Sequence, residues 1–132
     1  MLEFENLVCF DIDDTIALWN APNKDSIQVK GKSGKCNFFT PHERHIKYLK
    51  QLKLQKYTVL VWSAAGKEHA KLIITALKLQ KYVDIIADKP SMYFDDKQAN
   101  SWMGPRVFLD GASEQQFVVD TTDKLERILR ND

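Results

Sequence analysis

Three acids stand almost side by side at Asp11-Ile12-Asp13-Asp14, and a hydroxyl follows at Thr15. Carboxylates this close repel one another unless a cation neutralises them or a proton is shared. A carboxylate can attack phosphorus and carry the group as an aspartyl phosphate, splitting one hard displacement into two easier ones. Nucleophile and phosphate are both negative, so Mg²⁺ held by carboxylates and keeping several waters is the expected partner. A hydroxyl and an ammonium near the phosphate oxygens would supply further charge stabilisation. A second carboxylic acid, two residues from the nucleophile, could protonate the leaving oxygen and then activate water. The same residues have a plainer reading, because Asp is also favoured in turns after strands and at helix N-caps. The elements around them decide between the two.

Leu7-Val8-Cys9-Phe10 leads into the acids as a short uncharged run and predicts a buried central strand of a parallel sheet. Ile27–Lys30 and Cys36–Phe39 flank Gly31-Lys32-Ser33-Gly34, which predicts a small β-hairpin standing over the end of that strand, a flap of about residues 20–39. Thr40-Pro41-His42-Glu43 has the pattern of an N-cap, a first-turn proline and a capping-box acid, so a helix is expected from there to about Gln55. Its inward face would carry Ile46, Leu49, Leu52 and the stem of Lys53. Tyr57–Trp62 predicts a strand ending at Ser63, and a helix over about Lys67–Gln80 would bury Ala70, Ile73, Ile74 and Leu77. Asp84–Ala87 and Met92–Phe94 predict two more strands, ending at Lys89-Pro90 and Asp95-Asp96. Gln98–Arg106 is expected to be irregular or a short helix. Strands at Val107–Leu109 and Phe117–Val119 would surround a turn at Asp110-Gly111, and a last helix, capped by Thr121 or Thr122, would turn Leu125, Ile128 and Leu129 inward.

Strands alternating with helices imply crossover connections and a parallel sheet covered on both faces. Ligands bind such sheets at the carboxyl ends of the strands. The sequence sends Asp11, Asp13, Asp14 and Thr15 to that edge from the first strand, Ser63 from the second, Lys89 from the third, and Asp95 and Asp96 from the fourth.

Asp11-Ile12-Asp13-Asp14-Thr15 resembles the D-x-D-x-T signature of the haloacid dehalogenase (HAD) superfamily of phosphatases. Val59-Leu60-Val61-Trp62-Ser63, Lys89-Pro90 and Tyr93-Phe94-Asp95-Asp96 resemble that family's three later motifs, in order. The likeness covers about residues 7–96. It implies an α/β, three-layer Rossmann-like fold with a central parallel sheet flanked by helices. It further implies Asp11 as nucleophile and Asp13 as general acid and base, with the Asp13 backbone carbonyl also on the metal. Ser63 and Lys89 would bind the phosphoryl group and Thr15 would orient the loop beside it. Asp96 would touch Mg²⁺ directly, with Asp95 behind it or in its place; Asp14 receives no role. A carboxylic acid at Asp13 fits the family's phosphatases and phosphomutases, whereas its transport ATPases carry Thr there.

The gaps Ile16–Thr40 and Ala64–Asp84 hold one hairpin and one helix, so no large cap domain is expected. An uncapped site admits large substrates, such as a phosphorylated nucleic-acid end or a phosphoprotein, or a small molecule enclosed by oligomerisation. The stretch Lys24–Lys56 is basic against the acids Asp25 and Glu43, which would suit a polyanion and equally a solvated loop and helix face. Trp19 and Trp62 could stack a base but read more simply as core. His42 and His45 have no Cys or third His beside them and read as surface residues rather than metal ligands. Gly31–Lys35 lacks the earlier glycine of a P-loop, because Ser26 stands there.

The 132 residues, 44% hydrophobic and 28% charged with a net charge of +1, are those of one ordinary globular domain, 1–132. Overall charge therefore selects no partner. No apolar run is long enough to cross a membrane, and Glu3 and Glu5 stand where a secretory signal would be basic, so a cytoplasmic protein is expected. Cys9 reads as a small core residue and Cys36 as part of a polar loop, with no disulfide framework.

Overall fold

Period-2 burial in one strand organises the first part of the chain: Val59, Val61 and Ser63 point to one side and are buried, while Leu60 and Trp62 between them are half-buried. The computed structural model describes residues 6–31, 33–104, 106–109 and 117–119. The chain divides into two units, Met1–Lys89 and Pro90–Asp132. The first runs β1 (Leu7–Asp11), β2 (Ala17–Leu18), β3 (Ile27–Lys30), β4 (Cys36–Pro41), α1 (Glu43–Leu54), β5 (Thr58–Ser63), α2 (Lys67–Ala76), a 3-10 turn at Gln80–Tyr82 and β6 (Ile85–Asp88).

β1, β5 and β6 form a parallel sheet in the order β1-β5-β6, with Asp11 opposite Trp62 and Ser63 opposite Asp88. Parallel neighbours need crossovers; α1 lies on the path from β1 to β5 and α2 on that from β5 to β6. The core joins Val59 and Val61 to Ile46 and Leu49 of α1, Ala70, Ile73 and Ile74 of α2, and Ile12, Ile16 and Phe39 from the segments after β1. The central strand is thus β5 rather than β1. β1 pairs only with β5 among the described residues, Leu7 is 50% exposed and its other residues are half-buried, because burial of a strand depends on having neighbours on both edges.

The expected hairpin forms, with Ile27 opposite Phe39 and Lys30 opposite Cys36. It is extended by β2 into a three-stranded antiparallel sheet, β2-β4-β3, in which Ala17 faces Pro41 and Leu18 faces Thr40. This moves the start of α1. Thr40 cannot cap the helix, since its hydroxyl donates to the Ala21 carbonyl at 2.7 Å and meets Ser26 Oγ at 2.9 Å. His42 is the N-cap instead, its Nδ1 accepting from His45 N at 3.2 Å. Cys36 is an exposed first residue of β4 rather than part of a loop, and Cys9 is half-buried in β1, where burial pushes its thiol pKa up.

α2 stops at Ala76, short of the expected Gln80, and Lys78 takes a left-handed φ of 57° before the 3-10 turn. Leu77 is consequently half-buried and Leu79, at 2% exposure, takes the core position. β6 begins one residue later than expected because the Asp84 carboxylate turns back to accept from Val59 N at 2.8 Å and Lys53 Nζ at 2.6 Å.

In the second unit the expected strand at Met92–Phe94 does not form: the segment is irregular and Phe94 is 95% exposed. Local bonds hold it in another shape. Tyr93 Oη accepts from Ala99 N at 2.8 Å, and Asp95 Oδ1 accepts from Lys97 N at 3.1 Å, a turn that competes with strand pairing. After a 3-10 turn at Ala99–Ser101, β7 (Val107–Leu109) and β8 (Phe117–Val119) pair antiparallel, Leu109 opposite Phe117. The turn expected at Asp110-Gly111 and the helix with Leu125, Ile128 and Leu129 lie outside the described residues. Among the described residues, no helix is long and apolar enough to cross a membrane.

Candidate active site

The loop after β1 is wound around one carbonyl. Thr15, Ile16 and Ala17 all donate their N–H groups to Ile12 O, at 3.2, 2.8 and 3.0 Å, and Asp14 N donates to Ala17 O at 2.7 Å. Ile12 and Ile16 are fully buried beneath this turn, so Asp11 and Asp13 are left at its outer side, half-buried. Asp14 supplies the left-handed residue that closes it, with φ 61°, a conformation Asp tolerates better than most side chains. That gives Asp14 a structural purpose the sequence did not reveal.

α1 fastens the loop from the other side. His45 Nδ1 donates to Thr15 O at 2.7 Å, and the His45 ring stacks on His42 with centroids 3.8 Å apart. Both histidines are buried, His45 at 4% and His42 at 2% exposure, and not on the surface as expected for histidines with no third ligand beside them. The reason is that one caps the helix and the other holds a loop carbonyl. Burial drives the His45 pKa down to about 4 against the opposing hydrogen bond to Thr15, and the nearby His42 and Arg44 lower it further. The ring is neutral at pH 7.

Four elements meet at the carboxyl edge of the sheet. Asp11 Oδ2 accepts from Thr15 Oγ1 at 3.3 Å, and Asp11 Oδ1 lies 3.6 Å from Lys89 Nζ. Asp13 Oδ2 accepts from Ser63 Oγ at 3.1 Å; Asp13 Oδ1 meets Trp19 Nε1 and His69 Nε2, each at 2.8 Å. Lys89 is placed by its own backbone, whose N–H donates to Ser63 O at 3.0 Å and continues the β5–β6 ladder by one rung. Asp11, Asp13, Thr15, Ser63 and Lys89 are thereby brought together. Asp95 and Asp96 stand, exposed, in the second unit.

Burial raises the pKa of Asp13, but the His69 and Trp19 hydrogen bonds, the His69 charge and the Ser63 hydroxyl outweigh it and hold the carboxyl below its ordinary value. Asp13 is therefore an ionised acceptor at neutral pH. His69 and the indole N–H of Trp19 are the functional groups that the strand-end argument missed. His69 is the third residue of α2, and the first turn of a helix that follows a strand faces that strand's carboxyl end, which is the signal that could have found it. For Trp19 the signal was the indole N–H, which finds a partner when the ring packs inward.

No protein-family model matches the chain, and neither do curated proteins or solved structures. The chemistry must be read from the side chains. A half-buried carboxylate with an ammonium and a hydroxyl beside it can attack an electrophile whose developing negative charge those groups neutralise. A second carboxylate, ionised and multiply hydrogen-bonded, can take and return a proton. Hard oxygen donors such as the Asp11 carboxylate and the Asp13 carbonyl are of the type that suits Mg²⁺. Among the described residues, no group of three or more His, Cys, Asp or Glu residues is placed to hold a metal ion.

Proposed function

We propose that the chain is a Mg²⁺-dependent phosphomonoester hydrolase of the HAD type, with the three-layer Rossmann-like fold of that superfamily. The observation that carries this reading is the pairing of Asp11 with both Thr15 and Lys89 two residues upstream of the multiply hydrogen-bonded Asp13. Asp11 attacks phosphorus, forming an Asp11 O–P bond as the ester O–P bond breaks, and Asp13, ionised at rest, passes to the leaving oxygen a proton that it takes from solvent. Water then attacks phosphorus while Asp13 removes its proton, the Asp11 O–P bond breaks, phosphate leaves, and Asp13 returns the proton to solvent. Lys89 and Ser63 hold phosphoryl oxygens, and Thr15 orients Asp11. The Asp11 carboxylate and the Asp13 backbone carbonyl would hold Mg²⁺, which when bound would neutralise charge between nucleophile and phosphate.

The favoured substrates are phosphate ends of nucleotides or nucleic acids. Support comes from exposed Lys24, Lys30 and Lys35 on the flap and from the short connections that follow β1 and β5 among the described residues. The test is hydrolysis of an aryl phosphate with and without Mg²⁺, then of mononucleotides, 3′- and 5′-phosphorylated oligonucleotides, sugar phosphates and phosphopeptides. Mg²⁺-dependent turnover that Asp11→Asn abolishes is expected. Full activity in Asp11→Asn overturns the assignment, and no turnover of any substrate leaves a binding or regulatory protein of the same fold as the better reading.

A further inference from the structure

We propose that His69 is a positioning residue for Asp13, and that His69 and Trp19 together make Oδ2 the oxygen of that carboxylate through which protons pass. The inference rests on the phosphatase reading above. Asp13 Oδ1 receives Trp19 Nε1 and His69 Nε2, each at 2.8 Å. A carboxylate oxygen offers two lone pairs, and two N–H donors occupy both. An ionised carboxylate is acceptor only, so Nε2 of His69 carries the hydrogen. Among the described residues, Asp13 Oδ2 meets the Ser63 hydroxyl alone, at 3.1 Å. A hydroxyl can rotate. When Ser63 turns its hydrogen to a phosphoryl oxygen, Oδ2 is opened while Oδ1 stays held.

The two donors are themselves anchored. His69 projects from the first turn of α2 and stacks on Trp19, centroids 6.0 Å apart and planes 29° from parallel. Trp19 leans on Phe39 at 5.5 Å, and Phe39 is 1% exposed in the core. A chain of packed rings therefore fixes the carboxyl plane of Asp13, which is what a group that must meet both a leaving oxygen and an attacking water requires. A proton from solvent on Oδ2 passes to the leaving oxygen as the ester bond breaks. Oδ2 then takes one from water as the Asp11 O–P bond breaks and returns it to solvent, so ester and water give alcohol and phosphate and Asp13 ends ionised, as it began.

The test uses leaving groups of different need. Nitrophenolate leaves phosphorus without a proton, whereas an alkoxide requires one, and kcat/KM reports the steps through leaving-group departure. His69→Leu removes the N–H donor; His69→Gln keeps one at the same number of bonds from Cβ. With Mg²⁺, His69→Leu is expected to lower kcat/KM about 10- to 100-fold for an alkyl phosphate and less than about 5-fold for nitrophenyl phosphate, and His69→Gln to restore most of the alkyl activity. Should His69→Leu not fold, Trp19→Phe removes the other donor to Oδ1 and is expected to give the same leaving-group pattern. Equal losses on both esters, or none, overturn the inference and leave the phosphatase reading standing. Failure of the wild-type chain to hydrolyse either ester overturns both.

Discussion

Lys89 Nζ stands 3.6 Å from Asp11 Oδ1, so the residue just after β6 provides the counter-charge for the carboxylate that ends β1. The separation is that of an ion pair rather than a tight hydrogen bond, and the Lys89 side chain is 44% exposed. Exposed pairs of this kind contribute about 0–1 kcal/mol to stability. The pair therefore does little to hold the fold, and on the proposed reading a phosphoryl group would lie between the two.

Lys89→Met should therefore separate activity from stability. Removal of a charge that stabilises a developing oxyanion costs about 10²- to 10³-fold in kcat, so a loss of that order in phosphate-ester hydrolysis is expected. The urea midpoint should correspond to a change of under about 1 kcal/mol. A variant that is fully active, or one that is grossly unfolded, contradicts this division.

Asp84 carries the opposite expectation, a structural effect with no direct part in the site. Its carboxylate accepts from Lys53 and from the backbone of Val59, and these bonds, Lys53's first, hold its pKa below the ordinary value. A depressed carboxyl pKa means stability that is present above the unfolded value and lost as pH falls through the folded one. Because the side chain is about a third exposed, at 32%, the contribution is discounted to about 1 kcal/mol. Asp84→Ala should lower stability by about that amount at pH 7. The gap between the two proteins should narrow at pH 3, as urea titrations at both pH values would show.

Asp11, Asp13, Ser63 and Lys89 were legible because each sits at or just beyond the end of an apolar run, and a parallel sheet gathers such ends along one edge. The hairpin was legible from two short runs separated by a glycine-bearing turn. Other features depend on partners that no local pattern encodes. His69 reads as one polar residue on a helix until Asp13 Oδ1 is found 2.8 Å away. His42 and His45 read as surface residues with no third metal ligand beside them, yet a cap and the Thr15 carbonyl draw them inside. Met92-Tyr93-Phe94 has the apolar and aromatic character of a strand, but extended backbone persists only with a ladder partner, and Asp95 and Tyr93 bond locally instead. The apolar composition of β1 is that of a central strand, whereas the pairing makes β5 the strand with two neighbours.

His45 makes the protein's stability acid-sensitive in a window set by its burial. The ring is 4% exposed, lies against His42 and donates to Thr15 O, and its pKa falls to about 4 from an ordinary 6.5. Between those values the unfolded chain binds more protons than the folded one, so stability decreases as pH drops through the window, by up to roughly 3 kcal/mol at its lower end. His45→Asn keeps a side-chain donor near the position of Nδ1 and removes the titrating ring. It should start from a lower stability at pH 7, by about 1–2 kcal/mol for the lost packing, and then lose less between pH 6.5 and 4. The comparison is the slope of urea-derived stability against pH in the two proteins. Parallel slopes would mean that the proton is not excluded by burial, as would a wild-type His45 resonance that titrates near pH 6.5. Because Thr15 also donates its hydroxyl to Asp11, loosening of this loop in acid would reach Asp11, the proposed nucleophile, through a single residue.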